Sequence, residues 1–499
     1  MEACLTTWCM EFGAQIAARP SRSAGWRVRG RDGVVEGRLG PDEWQRDEDV
    51  RAAASRGRGG TRKVDCARPE RCVYAGGVGV PEAHRHLQPR KDSHSSFASP
   101  NATLPGMRPD PPPAVERLRV CSLFSGIGGF ELGLSASGHP TVFACESDPF
   151  ARAVLESRFP GIEIARDVTE LQALPDCDLL TAGWPCQDLS LAGGMKGLEG
   201  ARSGLVSEIF RLIAVSPRRP RYVLLENVAF ALDLHRGRAV TYVTERLEEL
   251  GYRWAYRILD TRAFGLPQRR RRLFVLASLD ADPARILLEG SDRDPPPTPQ
   301  DPRMVGFYWT EGNRGLGWSP EAVPPLKGGS GIGIPSPPAI WNRSTGEFLS
   351  PGIEDAERLQ GFPVGWTAAA AELHRGARRR WILVGNAVSV PVAEWIGRRL
   401  GSPESCSPAR PNPHPKSRTG VPRAASGGPE LIPRGFAPTN EGPAVSATTM
   451  LADFGLATPR LLSERSIGGF ARRYEAAPLR KNEEFLEALL AWPRARASV

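Results

Sequence analysis

From Val120 to Leu279, short apolar runs alternate with amphipathic stretches, and this rhythm limits what the chain can fold into. "RVCSLF", "TVFACES", "DLLTAGW", "RYVLLENV", "YRWAYRILD" and "RRLFVLASL" read as strands. Between them, "GGFELGLSAS", "DPFARAVLESRF", "SGLVSEIFRLIAV" and "AVTYVTERLEELG" carry apolar residues at helical spacing. Strands that are apolar throughout need cover on both faces, and helices between them supply it. The pattern predicts an α/β, Rossmann-like domain with a mostly parallel sheet and helices on both faces over residues 116–279.

The flanks read differently. Residues 1–115 are dense in Arg, Gly, Ala and Pro with little apolar periodicity, and end in "RPDPPPAVERL". Such a segment buries too little apolar surface to offset its ordering entropy, which predicts disorder, or a working chain that begins at Met107. Residues 280–350 lose the α/β rhythm ("GFYWTEGNRGLGW", "KGGSGIGIPSPP") and predict a small irregular lobe. "DAERLQGF" and "VPVAEWIGRRL" then return to the main domain as helices over 351–400. A Pro/Ser-rich linker is expected over 401–445 and a helical segment over 446–499. In the latter, "KNEEFLEALLAW" puts Phe485, Leu486, Leu489 and Leu490 on one face behind Asn482 as N-cap, suited to docking on the main domain or to a separate tail.

Composition excludes several classes. No apolar run reaches the length of a spanning helix, and no signal-peptide pattern opens the chain. The nine cysteines are scattered with no C-x-x-C pair, which argues against a disulfide framework or zinc site and for a reducing compartment. A formal charge of +9 suits a polyanionic partner, although an Arg-rich composition alone gives the same sign.

Chemistry concentrates at the strand ends. "LFSGIGGFELG" sets Gly126, Gly128 and Gly129 between a strand and a helix, where backbone can approach a ligand; a plain tight turn uses the same pattern. Glu146 and Asp167 close the next two strands, placed to hydrogen-bond a nucleoside or to stand as exposed strand-end acids. Cys186, in "GWPCQDLS", lies on a loop past a strand, between a stiffening proline and a polar Gln187. That is a setting for an attacking thiolate more than for a buried thiol. Glu226 and Asn227 end another strand, and "PQRRRRLF" supplies Gln268 and four arginines. In a strand, Arg270 and Arg272 would point the same way. A solvated basic run is the plainer reading of the arginines alone.

Taken in order, "FSGIGG", "GWPCQDLS", "ENV", "QRRRR", "RLQGFP" and "GNAV" resemble the ordered motifs of DNA (cytosine-5)-methyltransferases of the bacterial restriction-modification type, over roughly residues 120–400. The resemblance implies S-adenosylmethionine as methyl donor, with no metal. Phe124, Ser125, Gly126, Gly128, Gly129, Glu146, Asp167, Pro185 and Asn386 would form its pocket, Phe124 against the adenine, Glu146 on the ribose and Asp167 on the adenine amino group. It further implies Cys186 adding to C6 of a flipped-out cytosine, Glu226 protonating N3, and Arg272, with Arg270 beside it, at the O2 edge. Residues 280–350 would be the target-recognition region, with Gln268, Arg303, Asn313, Arg314 and Lys327 as DNA-binding candidates. The expected partners are double-stranded DNA at a short specific sequence and a cognate restriction endonuclease, for a monomeric cytoplasmic enzyme associated with the nucleoid.

The chain departs from the family pattern at Ser122, where Asp is common; at Trp184-Pro185-Cys186, where Pro-Pro-Cys is; and at Pro325, in place of a hydroxyl residue. A transfer RNA cytosine-5 methyltransferase shares the nucleophile, and a silent DNA-binding relative shares the fold. An amino-methyltransferase or a Rossmann oxidoreductase leaves Cys186, Glu226 and the arginines without a common role.

Overall fold

The computed structural model describes residues 25–30, 33–38, 116–184, 204–288, 299–310, 315–327, 337–374, 376–406, 421–436 and 449–496. Pro185, Cys186, Asn313 and Arg314 lie outside them, as does most of the N-terminal segment. Within that segment Gly25–Gly30 and Gly33–Arg38 pair as an antiparallel hairpin, a difference from the disorder expected there; this unit is separate from the body beginning at Pro105.

The body is built on a nine-stranded sheet. In chain order its strands are β1 (Val120–Leu123), β2 (Thr141–Cys145), β3 (Glu163–Ala165), β4 (Leu179–Gly183), β5 (Tyr222–Val228), β6 (Arg253–Asp260) and β7 (Arg271–Ser278). The far edge is added later by β12 (Ala424–Gly428) and β13 (Leu431–Phe436). The order across the sheet is β13-β12-β6-β7-β5-β4-β1-β2-β3. The half from β3 to β5 is parallel, as the α/β rhythm predicts, and β7, β6, β12 and β13 extend it antiparallel.

Strand parity sorts the core. Cys121, Leu123, Leu180, Ala182, Val223 and Leu225 meet Val206, Ile209 and Ile213 of α3 (Gly204–Val215) and Val240, Val243 and Leu247 of α4 (Arg238–Glu249). Val120, Leu179, Leu224 and Leu276 meet Phe130 and Leu134 of α1 (Gly129–Ala136) and Val392, Ala393 and Ile396 of α9 (Val390–Leu400) on the other face. Helices α1 and α9 approach closely because glycine faces the contact. A Cβ at Gly129 would lie 2.4 Å from the Val388 carbonyl, and one at Gly133 would lie 2.6 Å from Ala393 Cβ. α2 (Pro149–Arg158) starts where the sequence says it should: Asp148 caps it, accepting from Phe150 N at 2.8 Å, and Pro149 fills the first helical position.

Two boundaries read from the sequence need correction. The stretch taken as a linker over 401–445 supplies β12 and β13; its small residues, "AASGG", are what allow it to lie flat on β6, with Gly427 against the Trp254 ring. Helix α5 (Pro283–Leu288), taken as part of the lobe, buries Ile286, Leu287 and Leu288 in the main core.

The lobe is a five-stranded antiparallel sheet, ordered β9-β8-β10-β11-β14, rather than irregular. β8 (Met304–Phe307), β9 (Ser319–Pro320), β10 (Ala339–Asn342) and β11 (Glu347–Ser350) come from the expected region, but β14 (Arg460–Leu461) comes from the C-terminal segment. Between these strands lie α6 (Ile353–Leu359), α7 (Ala368–Glu372) and α8 (Gly376–Asn386), and before β14 the single turn α10 (Leu451–Phe454). Helices α11 (Glu464–Ala476) and α12 (Glu483–Arg496) follow, and they close over the lobe instead of docking on the main domain as expected. Phe485 is fully buried, 5.0 Å ring to ring from Phe307 and 5.3 Å from Trp341, and Leu489 and Trp492 join the same core. Asn482 caps α12 as the sequence predicts, accepting from Phe485 N at 2.9 Å. The buried face is Phe485-Leu489-Trp492; Leu490 is half exposed, because the aromatic core of the lobe selects the stripe that carries the tryptophan.

Candidate active site

The glycine-rich turn leaves β1 through Phe124, which takes a left-handed φ of 55°, a conformation costing a non-glycine residue on the order of 1–3 kcal/mol. Ser125 N then donates to Cys145 O at 3.1 Å, tying the turn to the end of β2. Gly126 follows at φ 58°, and nothing lies within 4 Å of where its Cβ would be. Glu146 closes the turn: Oε2 accepts from Gly126 N at 2.7 Å and Oε1 from Asp148 N at 2.8 Å. Burial pushes this carboxyl above its usual range while those two N–H groups oppose the shift.

The other two glycines are crowded. Gly128 (φ 87°) faces the Phe159 ring, and Gly129 faces Val388 of "GNAV". Both are thus close packing positions on the side where a Cβ would point, and Asn386 of the same "GNAV" block is exposed. Asp167 is exposed past β3 and accepts from Thr169 N and Oγ1 at 2.9 and 2.7 Å, bonds that hold its carboxyl below the usual range.

At the ends of the central strands several of the expected residues converge. Gly183, the last residue of β4, pairs with Glu226 of β5, and a Cβ on it would lie 3.7 Å from Glu226 Oε2 and 3.9 Å from the Phe124 carbonyl. Asn227 Nδ2 donates to the Trp184 carbonyl at 3.3 Å, fastening the start of the loop that leads to Cys186. Arg272 Nε is 3.1 Å from Glu226 Oε1. Burial raises the Glu226 carboxyl, and the Arg272 and then Arg270 guanidinium groups pull it back.

Two neighbours do not do what the sequence suggested. Arg270 is 1% exposed, and its guanidinium donates to the Leu326, Gly385 and Ala387 carbonyls. Gln268 is 0% exposed, and its amide is committed to Leu359, Gln360 and Leu326. Arg270 thus grips backbone instead of a base, and Gln268 does not reach DNA. The alternation rule places Arg270 and Arg272 on one face, but only Arg272 lies at the sheet's open end. Arg303 is exposed and paired with Asp453 of the C-terminal segment. Lys327 Nζ sits 3.8 Å from the centre of the Tyr308 ring.

One buried group was not anticipated. Glu131, in the first turn of α1, is 1% exposed and lies beside the Ser122 and Ser125 hydroxyls. Burial raises its carboxyl, with the nearby Ser122 and Ser125 hydroxyls opposing. In the sequence it looks like an ordinary first-turn helix acid, so no signal marks it.

Comparison with known proteins decides the family. A model of the C-5 cytosine-specific DNA methylase family matches residues 118–301. The Type II methyltransferase M2.BsuMI of Bacillus subtilis (strain 168) is 51% identical over 296 residues, 58% of this chain and 76% of that protein. This chain belongs to the C-5 cytosine-specific DNA methylase family. It is a DNA (cytosine-5-)-methyltransferase, and its substrate class is DNA. The Type II methyltransferase M.HhaI of Haemophilus parahaemolyticus is 35% identical over 161 residues, 32% of this chain and 48% of that protein. The methylase chain therefore spans about half the length of that relative. A crystal structure of S. pombe Dnmt2 methyltransferase aligns over 58% of this chain and 100% of its own, at 21% identity and a TM-score of 0.45. Among the described residues no group of His, Cys, Asp and Glu has metal-binding geometry, and no helix is long and apolar enough to cross a membrane.

Proposed function

We propose that this methylase transfers a methyl group from S-adenosylmethionine to C5 of a cytosine flipped out of double-stranded DNA, through a covalent bond between Cys186 and C6. The observation that carries this reading is the convergence of Phe124, Gly183 and Glu226 at one sheet edge, with Asn227 fastening the chain just before Cys186. The open space before Gly126, bounded by Glu146, suits the donor's nucleoside end, and the exposed Asn386 is assigned to the same pocket by its place in "GNAV". When bound, the donor supplies an electrophilic methyl sulfonium; everything else falls to the chain.

Cytosine C5 is too weak a nucleophile to react unaided. Addition of the Cys186 thiolate to C6 makes C5 enamine-like, splitting one difficult step into easier ones. Glu226, whose carboxyl burial raises above its usual range, gives a proton to N3 as the thiolate adds. Arg272 offsets charge developing at O2 while its Nε orients Glu226. Water, acting as base, then takes the C5 proton, the N3 proton returns to Glu226, and Cys186 leaves as its thiolate to release the product. The base must leave the stack for this to happen, at a cost of a few kcal/mol. The Type II designation of the relatives supports a short specific target and a cognate restriction endonuclease; the reading also takes the enzyme as cytoplasmic and monomeric.

The test is an oligonucleotide with 5-fluorocytosine at the target, incubated with donor: fluorine cannot leave as a proton does, so a stable adduct on Cys186 is expected by peptide mass spectrometry. Methylation of ordinary DNA without any such adduct would overturn the covalent mechanism.

A further inference from the structure

We propose that Gln268 and Arg270 form a buried clasp, two positioning residues that lock the recognition lobe and the Asn386 end of the cofactor pocket to the strand carrying Arg272. The proposal rests on the methyltransferase reading above and gives these two side chains a role in it other than touching DNA. Both polar atoms of one lobe residue are seized: Leu326 N donates to Gln268 Oε1 at 2.9 Å, and Leu326 O accepts from Arg270 Nη1 at 3.2 Å. The same guanidinium reaches across to Gly385 O at 3.1 Å and Ala387 O at 2.8 Å, on either side of Asn386. Gln268 Nε2 meanwhile donates to Leu359 O at 2.8 Å and lies 3.2 Å from Gln360 Oε1. Gln360 in turn donates to Val384 O at 2.9 Å and accepts from Ser389 Oγ at 2.8 Å.

Four sequence blocks that lie far apart in the chain, "PQRRRR", "VPPLKGG", "RLQGFP" and "GNAV", thus meet in one buried polar network. Buried polar networks stiffen a fold as their members are satisfied; here both Arg270 Nη atoms and both Gln268 amide atoms have partners, while Arg270 Nε has none among the described residues. A planar guanidinium can serve three carbonyls in fixed directions, and a lysine ammonium at the same place cannot. Because Arg272 is two residues along from Arg270, a shift at the clasp displaces the DNA-facing lobe, Asn386 and Arg272 together. A residue touching only the base would disturb the chemical step alone.

The experiment is steady-state kinetics on full-length Arg270→Lys beside Arg272→Lys, measuring KM for DNA, KM for S-adenosylmethionine and kcat. Arg270→Lys is expected to raise both KM values by roughly tenfold, equivalent to about 1.4 kcal/mol of binding. Arg272→Lys is expected to lower kcat and leave the donor KM at the wild-type value. Should Arg270→Lys fail to fold, Gln268→Glu replaces it, keeping the acceptor for Leu326 N and losing the donor to Leu359; both KM values should again rise. Unchanged KM values in the folded variant, whether or not kcat falls, overturn the clasp. Wild-type turnover on DNA in the same assay separates the two ideas, since its absence sinks the methyltransferase reading and not the clasp alone.

Discussion

Arg272 Nε stands 3.1 Å from Glu226 Oε1, on neighbouring antiparallel strands in which Arg272 faces Val228. The pair sets a carboxyl between two opposed influences, burial that favours its neutral form and a cation that favours its anion. A proton donor for N3 must be protonated, so the proposed step is supported below the raised pKa and lost as pH rises through it. Glu226→Gln should therefore lower kcat on the order of 10²- to 10⁴-fold and erase that alkaline limb. Arg272→Met should shift the limb to higher pH, because one influence favouring the anion is gone. Wild-type rate and pH profile in the Glu226→Gln variant would end the acid assignment.

Glu131 makes a separate prediction about stability. Its folded-state pKa is raised above the ordinary 4.5, so the native state binds the extra proton. The stability this group contributes is fully present below about pH 4.5 and is lost as pH rises through the raised value. Glu131→Gln keeps the shape and cannot ionise. Its Tm should exceed that of the wild type by a few degrees at pH 8, with the gap closing as pH falls toward 4.5. A constant gap across that range would mean that Glu131 does not titrate there.

The two glycines of the turn should separate packing from binding. Gly129→Ala drives a methyl into the Val388 carbonyl and should cost about 1–3 kcal/mol in urea unfolding. Gly126→Ala meets no atom but is strained by its φ of 58°, so it should cost about 1–2 kcal/mol and also weaken donor binding, because the methyl fills the open approach. Equal donor affinity in Gly126→Ala and wild type, by equilibrium dialysis, would move the nucleoside elsewhere.

In α6, Glu357 is wholly buried and its Oε1 lies 3.0 Å from Arg380 Nη2 of α8, with Thr367 N and Gly365 N also donating to its carboxylate. Removing the cation strands a buried charge. Arg380→Ala should destabilise the methylase by about 3–5 kcal/mol, read as a lower urea midpoint at unchanged slope. A loss under about 1 kcal/mol would show that the backbone donors alone suffice.

The parallel half of the sheet was legible in the sequence because its strands are mostly continuous apolar runs followed by amphipathic helices. So was the capping of α2 by Asp148 and of α12 by Asn482, since those signals act within one turn. Glu226, Arg272 and Glu146 were legible as strand-end polar residues, whose position follows from strand direction alone. What was not legible depends on contacts between distant segments. Gln268 and Arg270 look like a basic run until Leu326, Leu359 and Gly385 close around them. Gly128 and Gly129 look like ligand-facing glycines until Phe159 and Val388 arrive. "AASGG" looks like a linker because its place in the sheet is set by the Trp254 ring, not by its own apolarity.

The lobe's aromatic core is closed by residues that the ribosome adds after every other member of its sheet. A premature stop anywhere between Tyr474 and Phe485 would strip Phe485, Leu489 and Trp492 from the core that holds Phe307, Trp341 and Phe348, even with every active-site residue intact. Folding of the lobe thus waits on a contact, Phe307 with Phe485, between segments that lie far apart in the chain.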